Sequence, residues 1–200
     1  NQSRESEIVN LLRQVNSTIA KGGSVLIPVF ALGRMQEMLF VLDEAFRKKA
    51  IPNVPVFCSG LGMDLVNHFH EISKNTNRVR FNRKVLKSIG ARPLPKKIEP
   101  GRRLPMDGIY LVSSGMMVEN TPSYVLASGL LGDSRNSVLF VGFCDPQTPG
   151  GKLLATRVGD DFDFDAVDVI EKVRAKVCKY DLSGHANRDE LITFAKKLSP

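Results

Sequence analysis

The chain has 200 residues, of which 42% are hydrophobic and 24% are charged, and its formal net charge is +7. Such a composition can fill the core of one large domain, so it excludes a disordered charged tail. No apolar run reaches the ~20 residues that a membrane helix needs. No apolar block of the kind found in secretory signals follows the N-terminus, so we expect no membrane partner.

Helices and strands are predicted to alternate from residue 6 onward. Apolar residues at helical spacing predict a first helix over 6–21, and the apolar run at 25–30 is typical of a strand covered on both faces. The elements predicted next are a helix after Gly33, a strand at 54–58, a helix at 61–72, a strand at 108–112, a helix at 122–131 and a strand at 138–141. This alternation indicates an α/β fold with a mostly parallel sheet flanked by helices.

The character of the sequence changes near Gly159. An acidic connection over 160–168 leads into residues 173–178, whose alternating apolar and polar side chains predict a half-buried strand. We therefore expect residues 161–200 to belong to a different layer from residues 6–158. A last helix follows, with four apolar residues expected inside: Leu191, Ile192, Ala195 and Leu198.

A concentrated basic segment, from Arg78 to Arg103, holds ten Lys and Arg residues and a single acid, Glu99. Cations at this density can neutralise phosphates and release counterions. Several prolines in the same segment instead favour an irregular, solvated surface connection. The sequence leaves both interpretations open.

The metal-binding and nucleotide-binding patterns in the chain are incomplete. Cys58, Cys144 and Cys178 are far apart and form no CxxC pair, so we expect the buried thiols of a cytoplasmic protein. His68 and His70 have a ligand spacing for a strand, but they lie in a predicted helix, where residues i and i+2 face different sides. No GxSxG, GxGxxG or complete GxxxxGK[ST] pattern occurs.

His185 is the strongest single candidate for catalysis. It lies between the alternating strand and the last helix, where a side chain can face a cleft. Histidine titrates near neutral pH, which suits general acid or base catalysis. Position alone, however, favours a structural histidine.

Four blocks of sequence, in order along nearly the whole chain, resemble those of a known family. They are Gly22–Glu37, Ser113–Met117, Val141–Phe143 followed by Thr148, Gly151 and Leu153, and Ser183–Ala186. On these blocks the chain resembles the β-CASP nucleases, which are RNA- and DNA-processing enzymes of the metallo-β-lactamase fold.

The resemblance implies a division of the chain into two parts. Residues 1–160 would form a β-CASP domain, which is an α/β insert in a metallo-β-lactamase domain, and residues 161–200 would return to the host domain. The host's zinc-binding HxHxDH motif is absent, and the residues after His70 do not supply it. We therefore expect a fragment that binds no metal, from a parent protein that holds two zinc ions.

The resemblance also carries two catalytic residues over to this chain. His185 matches the family's histidine that helps to protonate the leaving group. Glu5 matches the acidic residue that pairs with that histidine, and Glu7 is the rival position. Without the resemblance, Glu5 would be a first-turn carboxylate favoured by the helix dipole. Candidate RNA contacts are Arg34, Ser113, Ser114, Gly115 and Lys152.

The function that the resemblance implies is that of a zinc-dependent ribonuclease in RNA processing or decay, of which this fragment alone is inactive. The expected partners are single-stranded RNA and the missing metallo-β-lactamase domain, with a homodimer left open. One alternative is a non-catalytic RNA-binding or scaffold subunit, against which the retention of Glu5 and His185 argues. The other is an unrelated nucleotide-binding α/β domain.

Overall fold

The computed structural model describes residues 3–76, 81–95, 97–104, 106–182, 184, 186 and 188–198. Its helices are α1 (Arg4–Ala20), α2 (Arg34–Arg47), α3 (Gly60–Thr76), α4 (Val85–Ser88), α5 (Pro122–Ser128), α6 (Pro149–Ala155) and α7 (Arg188–Leu198). Its strands are β1 (Val25–Pro28), β2 (Val56–Cys58), β3 (Ala91–Pro93), β4 (Ile109–Val112), β5 (Ser137–Phe140), β6 (Asp161–Phe164), β7 (Val169–Lys172) and β8 (Lys176–Lys179). In this part of the chain, no helix has both the length and the apolar character needed to cross a membrane.

Six of the strands form one parallel sheet in the order β3-β2-β4-β1-β5-β8. β1 pairs with β4 on one side and β5 on the other, so that Val25 lies opposite both Ile109 and Ser137. These three strands are buried along their whole length, as expected for strands covered on both faces. The predicted α/β fold, with a mostly parallel sheet flanked by helices, is confirmed.

Each face of the sheet carries its own hydrophobic core. Successive side chains of a strand point to opposite faces. Ile109 and Leu111 therefore join the core that contains the buried residues of α1 and α2. Tyr110 and Val112 join the other core, which contains the buried residues of α5. The central strands are thus held between two separately packed layers.

β8 corrects the expectation of a different layer for the end of the chain. This strand corresponds to the one predicted at 173–178, and it pairs in parallel with β5, with Val177 opposite Val138. It therefore extends the main sheet, and its assignment to another layer was wrong. Alternation identifies a strand but not its neighbour, because pairing depends on residues far away in sequence. The division of the chain after residue 160 stays a prediction.

The acidic connection is folded in large part as an antiparallel hairpin of β6 and β7. Phe162 and Phe164 are buried, whereas Asp161 and Asp163 alternate with them on the exposed side. The Tyr124 hydroxyl of α5 donates to Asp165 Oδ1 at 3.0 Å and holds the hairpin against the helix layer. The hairpin is therefore anchored by its aromatic residues and solvated by its acids.

The basic segment is neither wholly irregular nor wholly exposed where the structure describes it. It contains α4 and β3, and β3 pairs with β2 at the edge of the sheet. Val85 and Ile89 anchor it in the core, while Lys84 and Lys87 face the solvent. Arg78, Arg80 and Lys96 lie outside the described residues.

The last helix, α7, has no buried residue. Leu191 is 56% exposed and Leu198 is 66% exposed. The expectation that Leu191, Ile192, Ala195 and Leu198 lie inside was therefore wrong. Helical spacing defines an apolar face, but burial also needs an opposing surface, and the described residues do not provide one.

Candidate nucleic-acid interface at the carboxyl edge of the sheet

The carboxyl ends of the parallel strands meet at one edge, where open α/β sheets bind their ligands. A cleft of about 770 Å³ lies at this edge. Its walls are the start of α1, the loop between β1 and α2, Phe69 of α3, the loop between β5 and α6, and Gly184. Two of these loops come directly after β1 and β5, which are neighbouring parallel strands. Both loops therefore lie at the same edge of the sheet.

The loop between β1 and α2 is held by a buried glutamine. Gln36 Oε1 accepts a hydrogen bond from the Gly33 backbone N–H at 2.7 Å, and Gln36 Nε2 donates to the Ala31 carbonyl oxygen at 3.0 Å. Gly33 has φ +84°, a region that glycine enters without strain. The resemblance block around Gly33 thus has a physical role, since it fixes this wall of the cleft.

Arg34 and Arg4 share one carboxylate in the cleft wall. Glu37 forms an ion pair with each of them, and the Arg34 side chain is only 13% exposed. Burial, and secondarily the neighbouring charge of Arg4, lowers the pKa of the Arg34 guanidinium. Arg34 therefore lines the cleft, as an RNA contact would, but its guanidinium is already bonded within the wall. Arg4 is the more accessible cation of the two, with 40% of its side chain exposed.

The first turn of α1 holds the chain segment that leads to His185. Arg4 Nη1 donates to the Leu182 carbonyl oxygen at 3.0 Å, and the Asp181 backbone N–H donates to Glu7 Oε2 at 3.0 Å. Glu7, the rival acidic position, thus makes this contact, while Glu5 is exposed. His185 itself lies outside the described residues. The pairing of Glu5 with His185 therefore stays a prediction.

The turn of Ser113, Ser114 and Gly115 follows β4 at the same edge, and its hydroxyls have partners inside the protein. Ser113 Oγ lies 3.3 Å from Ser59 Oγ, and Ser114 Oγ accepts a hydrogen bond from the Val118 backbone N–H at 2.9 Å. A Cβ at Gly115 would lie 3.0 Å from the Phe30 backbone nitrogen. The turn therefore braces neighbouring loops, and its role in RNA binding stays a prediction.

Lys152 lies on α6 and is not among the residues that line the cleft. Its side chain is exposed. The two glycines before it are required by packing, since a Cβ at Gly151 would lie 2.1 Å from the Asp145 carbonyl oxygen and one at Gly150 would lie 2.6 Å from that of Met116. These glycines fit the helix start against its neighbours and do not form an open phosphate loop.

The described residues offer no fit for zinc. His68 is exposed on α3, and His70 Nδ1 lies 3.3 Å from the Phe81 carbonyl oxygen on the other side of that helix. Among the described residues, no group of three or more His, Cys, Asp and Glu side chains could hold a metal ion.

The cleft residues that the sequence did not predict include three exposed apolar side chains of its loops. Phe30 and Phe143 line the cleft with 41% and 57% of their surface exposed, and Leu32 is exposed beside them. Phe30 was assigned to a strand at 25–30, but β1 ends at Pro28 and leaves this residue in the loop. The available signal was the position of each phenylalanine directly after a buried apolar run.

The parallel sheet and the cleft at its carboxyl edge define an α/β domain with a concave candidate site. Comparison with known families then identifies the class of this domain. Residues 35–153 match the Beta-Casp domain. Residues 170–200 match the Zn-dependent metallo-hydrolase RNA specificity domain. The chain belongs to the β-CASP family of nucleases.

Archaeal proteins are similar to the chain over almost its whole length. The transcription termination factor FttA of Methanococcus maripaludis is 32% identical, with 98% of this chain and 32% of that protein covered. FttA of Lokiarchaeum is 29% identical and FttA of Methanothermobacter thermautotrophicus is 30% identical, each with 99% of this chain and 32% of the relative covered. The chain thus spans about a third of the length of these relatives.

Proposed function

We propose that this chain is the β-CASP part of a zinc-dependent ribonuclease that hydrolyses RNA phosphodiester bonds in RNA processing or decay. Membership of the β-CASP family supports a nuclease, and the match of residues 170–200 to an RNA specificity domain supports RNA as the substrate. The similar proteins that are named transcription termination factors support a role in RNA metabolism. A cytoplasmic location remains part of this proposal.

The observation that carries the proposal is that two distant parts of the sequence lead into one cleft. Arg4, next to Glu5, and Gly184, next to His185, both line it. Arg4 also holds the backbone of Leu182. The acid and the histidine that the resemblance pairs are therefore each adjacent in sequence to a residue that lines the same cleft.

In the proposed reaction, His185 donates a proton to the oxygen that departs when the phosphodiester bond breaks. A carboxylate beside the ring favours its charged form and fixes its orientation. We assign that pairing to Glu5. Glu7 has a separate positioning role, because its carboxylate already binds the backbone of Asp181.

Zinc belongs, in this proposal, to another part of a longer polypeptide. The described residues contain no group of metal-binding side chains, and the chain spans 32% of the length of its relatives. The metallo-β-lactamase domain would supply the metal ions. We therefore expect the 200-residue chain alone not to cleave RNA.

The test uses the full-length protein and an end-labelled single-stranded RNA. His185→Ala should reduce cleavage at least about tenfold and leave RNA affinity unchanged, because a proton donor is lost but no binding surface. His68→Ala, the same change at an exposed position of α3, is the matched control and should cleave like the wild type. Equal losses of cleavage and affinity in His185→Ala would contradict the proton-transfer role. Cleavage by the 200-residue chain alone would contradict the assignment of zinc.

A further inference from the structure

Two phenyl rings at the carboxyl edge remain exposed although they stand in a concave site. Phe30 and Phe143 both line the cleft, and about half of each residue is open to solvent. Large apolar side chains in a cleft are typical of surfaces that receive a ligand or partner. The proposed proton-transfer chemistry makes no use of either ring.

Each ring follows a buried strand of the sheet, and the Phe30 ring is also packed against a neighbouring loop. Phe30 follows β1, and its carbonyl oxygen accepts a hydrogen bond from the Met35 backbone N–H at 3.1 Å. A Cβ at Gly115 would lie 3.1 Å from the Phe30 ring, so the ring rests on that glycine. Phe143 follows β5, the neighbour of β1, and adjacent strands lie about 4.8 Å apart. The two rings therefore extend from loops that follow neighbouring strands.

Two glycines leave the backbone beside the rings bare. Gly142 and Gly184 line the cleft, and Gly142 does not adopt a positive φ. A Cβ on either would meet no atom of the described residues within 4 Å. The described part of the chain thus gives no packing reason for glycine at either position, and the missing side chains leave room for a flat group between the walls.

The charge of the cleft wall indicates what kind of ligand carries this flat group. Arg4 and Arg34 contribute two guanidinium groups against the single carboxylate of Glu37. The chain as a whole carries a net charge of +7. Exposed aromatic rings beside cations are the combination with which proteins bind single-stranded nucleic acids, because bases stack on the rings and phosphates meet the cations.

We propose that Phe30 and Phe143 stack on unpaired bases of single-stranded RNA, which makes this cleft a base-binding subsite. The inference rests on the proposed function, because it takes RNA as the ligand. It adds that the cleft recognises bases as well as the phosphate backbone. It also predicts no preference for one base, because every base offers a ring face.

The test measures binding of the 200-residue chain to two probes by fluorescence anisotropy. One probe is a 12-nucleotide oligouridylate, and the other is an abasic ribose-phosphate chain of the same length. The wild type should bind the oligouridylate at least about fivefold more tightly. The double variant Phe30→Ala/Phe143→Ala should bind both probes equally, with the affinity of the wild type for the abasic chain. Phe40→Ala, which removes an exposed ring from the middle of α2, should discriminate like the wild type.

A second variant guards against loss of the fold. Phe30→Leu/Phe143→Leu keeps apolar side chains on the loops but removes the flat rings, and it should also lose discrimination between the probes. If the wild type bound both probes equally, with an affinity that depends on salt, this inference alone would be overturned. If both double variants kept the wild-type preference for oligouridylate over the abasic chain, the inference would likewise be overturned. A polypeptide would then be favoured as the partner that contacts the two rings. Absence of RNA binding by the 200-residue chain at low salt would also overturn this inference, while cleavage by the full-length protein decides the proposed function separately.

Discussion

The central strands and the outer elements of this molecule differ in what covers them. β1, β4 and β5 are buried on both faces by residues of the same chain. α7 leaves its apolar side exposed, and the basic segment presents cations to solvent. The centre is therefore stabilised by the chain's own contacts, while the outer elements keep surfaces on which a partner can bind.

The largest difference between the two regions is expected when the same substitution, leucine to alanine, is made once in each of them. Leu139→Ala, in the middle of β5, should lower the free energy of unfolding by about 2–5 kcal/mol, because it leaves a cavity in a close-packed core. Leu191→Ala, on α7, should change it by about 0.5 kcal/mol or less. Urea unfolding followed by circular dichroism measures both. Equal losses would show that α7 is covered in solution.

A smaller effect is expected for the charge network that joins α1 to α2, between the central strands and the solvent. Glu37→Gln should lower the free energy of unfolding by about 1–3 kcal/mol, because the largely buried Arg34 guanidinium loses its carboxylate. Glu44→Gln lies on the same helix and removes only an exposed ion pair with Lys48, so we expect no measurable change. Thermal and urea unfolding of the two variants would give matching curves if the network contributed no more than a surface pair.

The outermost cations should affect RNA binding and leave stability unchanged. Replacement of Arg83, Lys84 and Lys87 by Ser should reduce the slope of log affinity against log salt by about 2, since each phosphate contact to a single strand contributes roughly 0.7. Anisotropy titrations at several potassium chloride concentrations measure this slope.

The matched control for the basic segment removes the same charge elsewhere. Arg13, Lys21 and Lys49 are exposed on or directly after α1 and α2, and their replacement by Ser should leave the slope close to that of the wild type. An equal decrease in both triple variants would mean that only net charge matters. It would remove the basic segment from the RNA path.

Much of the central fold could be predicted because its signals are local. The apolar run at 25–30 and the helical spacing around it gave β1 and its flanking helices, and alternation gave a parallel sheet. The order of strands could not be predicted, because pairing depends on contacts across the whole chain. β3 was missed because Arg92 and Pro93 are poor strand residues, although both lie in that strand. The hairpin at 161–172 was missed because acids obscured the alternating Phe162 and Phe164.

The candidate site likewise has residues that the sequence predicts and contacts that it does not predict. Glu5, Arg34 and His185 were found through sequence blocks, which need no knowledge of the fold. The ion pairs of Glu37 with Arg4 and Arg34 were not found, because the first joins residues on two different helices. The exposure of Phe143 likewise depends on where β5 ends, and residue type alone does not determine it.

The contact between Arg4 and Leu182 also has a consequence for the order of assembly. These residues are 178 positions apart, so their hydrogen bond closes nearly the entire chain into a loop. Proteins are synthesised from the N-terminus, and α1 can begin to coil long before residue 182 leaves the ribosome. Arg4 can therefore be fixed against this segment only after residue 182 has been synthesised, so this wall of the cleft is completed later than α1 itself.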